Sequence, residues 1–207
     1  MKKILPLLSL IVLIACAERK KSKSITDQQI QDAVMIEGNR ISNAAQKALG
    51  GQLKKAMGEG GPRYAVRFCQ TAAYPILDTL TTGLDVKIKR ASLRLRNPKD
   101  APDDTERKIL EQYQKSLDGQ AALQPVVAFP NENQILFAKP IVLNNPLCLN
   151  CHGSVGTEVS SETHALIKDL YPDDNAANHK IGDLRGIWSI TFDRDKLITY
   201  LEQQKQE

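Results

Sequence analysis

Between positions 30 and 57 the apolar residues fall at Ile30, Ala33, Val34, Ile41, Ala44, Ala45, Ala48, Leu49, Leu53, Ala56 and Met57, with polar and charged residues between them. Steps of three, four and seven return to one side of a 3.6-residue helix, so the pattern predicts a long helix over about 27–58. Thr26 or Asp27 supplies the N-cap, and Gly58, Gly60, Gly61 and Pro62 stop it. Gly50-Gly51 is the expected place for a kink. Met35 and Met57 read as core packing rather than ligands. Helical spacing resumes over 64–82, where Ala65, Phe68, Cys69, Ala72, Ala73, Ile76, Leu77 and Leu80 share one broad face. The period then drops to two. Over 85–95, Val86, Ile88, Leu93 and Leu95 stand against Lys87, Lys89, Arg94 and Arg96, which predicts a strand with a bulge near Ala91-Ser92.

Asn97-Pro98 and Ala101-Pro102 end that strand, and Pro102 with Asp103 and Asp104 opens a helix to about Leu117. Residues 126–129 and 134–142 read as a hairpin around Pro130-Asn131-Glu132-Asn133. A short helix over 161–171, capped by Ser160 or Ser161, is followed by a loop over 173–183. A strand over 186–192 (GIWSITF) and a helix from Asp193 or Asp195 to about Gln203 complete the chain. Helices first, then antiparallel strands mixed with short helices, give an α+β class.

The first sixteen residues follow another logic. Met1-Lys2-Lys3 is a positive start, Ile4 to Ile14 is an apolar run broken only by Pro6 and Ser9, and Leu13-Ile14-Ala15-Cys16 reads as a lipobox. The run is too short for a permanent membrane span and suits a lipoprotein signal peptide over 1–16. Cys16 is then the lipidated residue, and several acyl chains on it give stable anchoring to a membrane facing the periplasm. Residues 17–24 (AERKKSKS) form a polar tether, and 25–207 one domain with a sizeable core. Loss of the leader takes Lys2 and Lys3 out of the 28 basic residues and leaves the 24 acids, so the formal charge falls from +4 to +2. Nucleic-acid binding has no support in that balance.

The chemistry concentrates in Cys148-Leu149-Asn150-Cys151-His152-Gly153. C-x-x-C-H is the attachment pattern of c-type haem. Two thiols three positions apart reach the two vinyl groups on one side of the porphyrin, and the next residue lies under the iron as a neutral imidazole. With 4 cysteines in 207 residues, a chance match is expected on the order of one time in a thousand. A structural zinc site or a small disulfide through Cys148 and Cys151 are the rival readings. Zinc needs four ligands and usually a second paired motif, and only Cys69, His164 and His179 remain to help, each singly. Thioether attachment normally takes place outside the cytoplasm, so leader and motif support each other.

Cys16 takes lipid and Cys148 and Cys151 take one covalent haem c, which leaves Cys69. Its residue type admits two roles: a small buried hydrophobe, or a thiolate ligand to the iron opposite His152.

Lys89-Arg90-Ala91-Ser92-Leu93-Arg94-Leu95-Arg96-Asn97-Pro98 carries a family resemblance, together with Phe68-Cys69-Gln70-Thr71-Ala72, the late C-x-x-C-H-G and the terminal Gly186-Ile187-Trp188-Ser189-Ile190. Over roughly 25–200 the chain resembles the single-haem, PAS-like c-type haem proteins long catalogued as a domain of unknown function. Members occur as lone exported proteins and as input domains of membrane sensor kinases. The resemblance implies a PAS-like antiparallel sheet with long N-terminal helices packed over the haem. It also implies cysteine–histidine ligation, carried here onto Cys69 and His152.

Period two puts Arg90, Arg94 and Arg96 on one strand face, with Lys89 opposite, and Arg94 and Arg96 are the first expected partners of the haem propionates. His164 and His179 are the rivals of Cys69 as distal ligand, but their polar surroundings place them at the surface, and Trp188 is expected in the core. Six-coordinate iron leaves no open position, so electron transfer or redox sensing is expected, with a separate redox partner or sensor protein. A small peroxidase-like haem enzyme and a zinc-stabilised interaction lipoprotein are the alternatives.

Overall fold

The structure, a computed structural model, describes residues 25–81 and 85–204. The expected signal peptide over 1–16 with Cys16, and the tether over 17–24, lie outside the described residues. Helix α1 (Asp27–Asp78) starts with a capping box: Gln29 N–H donates to Thr26 Oγ1 at 3.2 Å, and Thr26 N–H to Gln29 Oε1 at 3.1 Å. It breaks once, at Gly60 and Gly61, so it consists of two arms corresponding to the two expected helices. Gly61 takes φ +66°, a backbone state that glycine adopts without strain, and Pro62 opens the second arm where no N–H partner exists anyway. Gly50 and Gly51 do not kink the first arm. A glycine pair lowers helix propensity by about 1 kcal/mol each but leaves every backbone hydrogen bond possible.

Four strands follow: β1 (Val86–Ala91), β2 (Val126–Asn131), β3 (Gln134–Val142) and β4 (Leu184–Asp193). They form one antiparallel sheet in the order β1-β4-β3-β2. Helix α2 (Asp104–Asp118) precedes β2, α3 (Leu149–His152) and α4 (Ser161–Leu170) lie between β3 and β4, and α5 (Arg194–Gln204) ends the described chain. The alternation along β4 assigns its faces. Trp188, Ile190 and Phe192 join Ile30, Val34, Ile41, Ala45 and Leu77 of α1 in the main core, whereas Ile187 packs with Ile109, Leu110 and Tyr113 of α2. The sheet is therefore covered by α1 on one side and α2 on the other. Glu106 is buried on the α2 side, bound by Lys89 at 2.8 Å and by Ser189 Oγ at 2.5 Å, so its charge is compensated.

Helix α1 meets the sheet at Gly38. A methyl group there would lie 2.2–2.7 Å from the ring of Phe137, which is fully buried and has nowhere to retreat. Overpacking of this kind costs about 1–3 kcal/mol, against a helix-propensity gain of about 1 kcal/mol. Gly38→Ala is expected to lower the melting temperature by a few degrees. Gly51→Ala, with no atom within 4 Å of the added methyl, should hold or raise it in the same melt.

Two departures from the sequence expectation shape the site. Strand β1 stops at Ala91, not near Leu95. There Ser92 N–H turns to Asp100 O at 3.1 Å, and Ser92 Oγ takes the Arg94 N–H at 3.1 Å, a serine turn that replaces the ladder. Strand β4 begins at Leu184, earlier than Gly186, and its pairing with β3 slips between Ile141↔Gly186 and Val142↔Leu184. Arg185 is the extra residue of that bulge. Gly186 beside it passes so close to β1 that a Cβ would sit 2.3 Å from the Ala91 carbonyl oxygen. Only a glycine fits there.

Candidate cofactor site

Both arms of α1 face the adjoining ends of β1 and β4 and the turns after β3 across one cleft. Leu49, Leu53 and Met57 line it from the first arm, and Phe68, Cys69 and Ala73 from the second. Trp188 borders it from the sheet, its Nε1–H directed to Gln46 Oε1 at 3.3 Å. Met35 packs against the main core, while Met57 is half-buried in the cleft wall.

Cys148, Cys151 and His152 stand opposite those helical arms. The C-x-x-C-H segment is not an open loop as expected: Pro146–Cys148 is a single 3-10 turn, and α3 continues from it. Asn145 Oδ1 starts the turn by accepting the Leu147 N–H at 2.9 Å. Helical winding puts side chains three positions apart on one side, so Cys148 and Cys151 both border the cleft. Both are free thiols. Cys151 also touches a small core of Val66, Val159, Leu166 and Ile167, which ties the motif to the second arm of α1 and to α4. Burial raises both thiols, Cys151 to about 11, so they are protonated at neutral pH. Gly153 follows because a Cβ there would meet Leu149 O at 2.7 Å and the Glu158 side chain at 2.8 Å.

His152 is defined by one hydrogen bond. Its Nδ1 lies 2.8 Å from the carbonyl oxygen of Ala176, which can only accept, so Nδ1 carries the hydrogen and Nε2 the lone pair. Burial, reinforced by Arg185 and Arg96, holds its pKa well below the usual histidine value. The neutral imidazole with a free Nε2 is the form that binds a metal.

Cys69 is not the buried hydrophobe of the bland alternative. It borders the cleft and is accessible from it. Partial burial still raises its thiol above the ordinary value, opposed by the nearby Arg90 and Arg96.

Arg90, Arg96 and Arg185 edge the cleft. Asp100 lies 3.8 Å from Arg90, and Asp174 2.9 Å from Arg96. Arg185 donates to Ser92 Oγ at 2.7 Å and to Arg94 O at 3.1 Å, and burial followed by its two arginine neighbours lowers its pKa to about 10. Three cations against two carboxylates leave this wall with an excess of positive charge. Sequence reasoning weighed Arg90 without choosing it and missed Arg185, whose position depends on the bulge.

Arg94 stands outside the cleft lining. Once β1 ends at Ala91, period two no longer governs its direction, and its guanidinium turns to Asn175 O at 3.2 Å, Ala177 O and His179 Nδ1 at 3.2 Å. Arg96 lines the cleft but also donates to Cys151 O at 2.7 Å. His179 is 1% exposed, contrary to the surface position expected of it, and its ring stands edge-on to His152 with centroids 6.2 Å apart. Burial and Arg94 lower its pKa to about 4, so it is neutral. His164 is half-buried on α4 and does not border the cleft. Among the described residues no cluster of three or more histidine, cysteine or acidic side chains could hold a metal ion, so the zinc alternative lacks its ligands there.

Comparison with known proteins agrees with the fold. The crystal structure of the cyanobacterial heme-protein Tll0287 matches with a TM-score of 0.56 at 19% identity, covering 81% of this chain and 96% of that one. No curated protein matches the chain. The family model Tll0287-like matches residues 15–192, across both arms of α1, the sheet and the C-x-x-C-H turn, and the chain belongs to that family.

Proposed function

We propose that this protein is an exported, lipid-anchored haem c protein that serves in electron transfer or redox sensing. One haem would be held by thioethers to Cys148 and Cys151, with His152 Nε2 and Cys69 Sγ as its iron ligands. The observation that carries the reading is the single cleft bordered by two free thiols one helical turn apart, a neutral His152 with its lone pair on Nε2, and an accessible Cys69 on the facing helix. The resemblance to a heme-protein of the same fold supports it. So does the charge of the wall, where Arg185, Arg90 and Arg96 would receive the two propionates. We read the sheet order β1-β4-β3-β2 under long N-terminal helices as PAS-like.

The bound haem supplies a one-electron ferric/ferrous couple. Leu49, Leu53, Phe68 and Trp188 would wall it off from water, and the Ala176 carbonyl keeps the proton on His152 Nδ1. Cys69 holds its proton at neutral pH, its thiol raised by partial burial, and would give that proton up as an iron ligand; charge donation from a thiolate would favour the ferric state. Anchoring at Cys16 would hold the domain at a membrane surface facing the periplasm, where a redox partner or a separate sensor protein meets it.

A six-coordinate centre has no position for an outside ligand. The ferric holoprotein is expected to titrate reversibly at a low potential and to leave its spectrum unchanged when peroxide is added, and the ferrous form when carbon monoxide is added. Rapid binding of either by the native protein would favour a small haem enzyme instead.

A further inference from the structure

We propose that Arg94 and Arg96 are positioning residues that hold the segment 174–179 against His152 and so fix the hydrogen bond of its imidazole. This rests on the proposed haem reading and adds to it a role for the basic block after β1. The bond in question runs from His152 Nδ1–H to Ala176 O. Arg94 grips the carbonyls on both sides of that acceptor, Asn175 O at 3.2 Å and Ala177 O, and reaches His179 Nδ1 at 3.2 Å. Arg96 binds Asp174 at 2.9 Å, and the same carboxylate oxygen accepts the Ala176 N–H at 3.1 Å. Its other end donates to Cys151 O at 2.7 Å, so one guanidinium joins the attachment turn to the loop that carries the acceptor. Leu95 O closes the arrangement by taking the Asn175 N–H at 2.7 Å, and His179 N–H returns to His152 O at 2.8 Å.

Two forked side chains from one short stretch thus determine where a single carbonyl lies. The loop has no regular structure of its own to do this, and a lysine lacks the planar fork that reaches separate acceptors at once. The hydrogen bond to a ligating histidine orients the ring and raises its basicity, so its loss weakens charge donation to iron. Arg94, which lies outside the cleft, therefore acts on the haem through the imidazole and not through a propionate.

The test is Arg94→Gln and, as an independent arm, Arg96→Gln in the matured holoprotein. Proton exchange at His152 Nδ1, read by nuclear magnetic resonance, is expected to speed up about ten-fold or more in each. In Arg94→Gln, whose guanidinium lies outside the cleft, the reduction potential should move positive and the ferric low-spin resonance should shift its g-values; Arg96 also borders the cleft, so its arm is read from the proton exchange. Gly38→Ala serves as the destabilised control and should change none of these. Arg94→Lys should recover only part of the protection. Wild-type exchange and potential in a haem-containing Arg94→Gln protein would overturn the proposal while leaving the haem reading intact. In protein produced without haem, nitrogen chemical shifts of His152 should report the Nδ1–H tautomer, lost in both arginine variants. Retention of that tautomer in both would likewise overturn it, and wild-type protein that never acquires haem would overturn the haem reading alone.

Discussion

Cys69→Ser is expected to turn a low-spin ferric spectrum into a high-spin or mixed one and to raise the reduction potential. The cause is charge. A thiolate brings one negative charge to the ferric ion, whereas a serine hydroxyl stays protonated and neutral at pH 7 and is a poor ligand. The expected rise is on the order of 100 mV or more, within the ~0.8 V range over which axial ligands set haem potentials. Little structural damage accompanies it, because Cys69 is accessible from the cleft and its replacement leaves no core cavity. Electron paramagnetic resonance of the ferric protein beside the variant is the measurement. An unchanged low-spin signal would remove the thiolate from the account.

The second large effect concerns attachment. If the proposed attachment holds, Cys148→Ala or Cys151→Ala is expected to leave one thioether and one free vinyl group, and the reduced pyridine haemochrome band should move toward that of unattached haem. The double variant should lose covalent haem completely, with no colour retained on a denaturing gel. The two single variants should differ in stability. Cys151 packs against Val66, Leu166 and Ile167, whereas Cys148 belongs to no core cluster, so removing the Cys151 sulfur also loosens the contact between α1 and the attachment turn. Covalent haem surviving in the double variant would place attachment elsewhere.

Much of the framework was legible because periodicity and capping act locally. The long α1 arms, the glycine break, α2 with its Asp103 cap, the β2–β3 hairpin and α4 all follow from spacing and end signals. The end of β1 was not legible. Leu93 and Leu95 continue an alternating pattern, yet Ser92 satisfies backbone groups that the ladder would have used, and Leu93 ends 42% exposed. A side-chain hydrogen bond outweighed the pattern, and with it went the shared face assigned to Arg90, Arg94 and Arg96.

The place of the candidate site was legible where it is written in adjacent residues: Cys148, Cys151 and His152 line one cleft. Cys69 could be named as a candidate from its place on an apolar face, but no spacing rule brings it opposite a motif some eighty residues later. Arg185 was out of reach: a one-residue bulge between β3 and β4 makes it part of the wall, and bulges depend on register between distant segments. His179 was misread for a related reason. Its neighbours Asn178 and Lys180 are polar, but its own N–H pairs with His152 O, which carries the ring into the interior.

Mass spectrometry of the denatured, properly matured protein, read together with its pyridine haemochrome, is the most direct measurement of the central claim. The account predicts one haem retained per chain after denaturation, a c-type spectrum, and both thioethers mapped to the peptide containing Cys148 and Cys151. A colourless polypeptide of unmodified mass at that peptide, produced alongside a known c-type protein that does mature in the same cells, would contradict it.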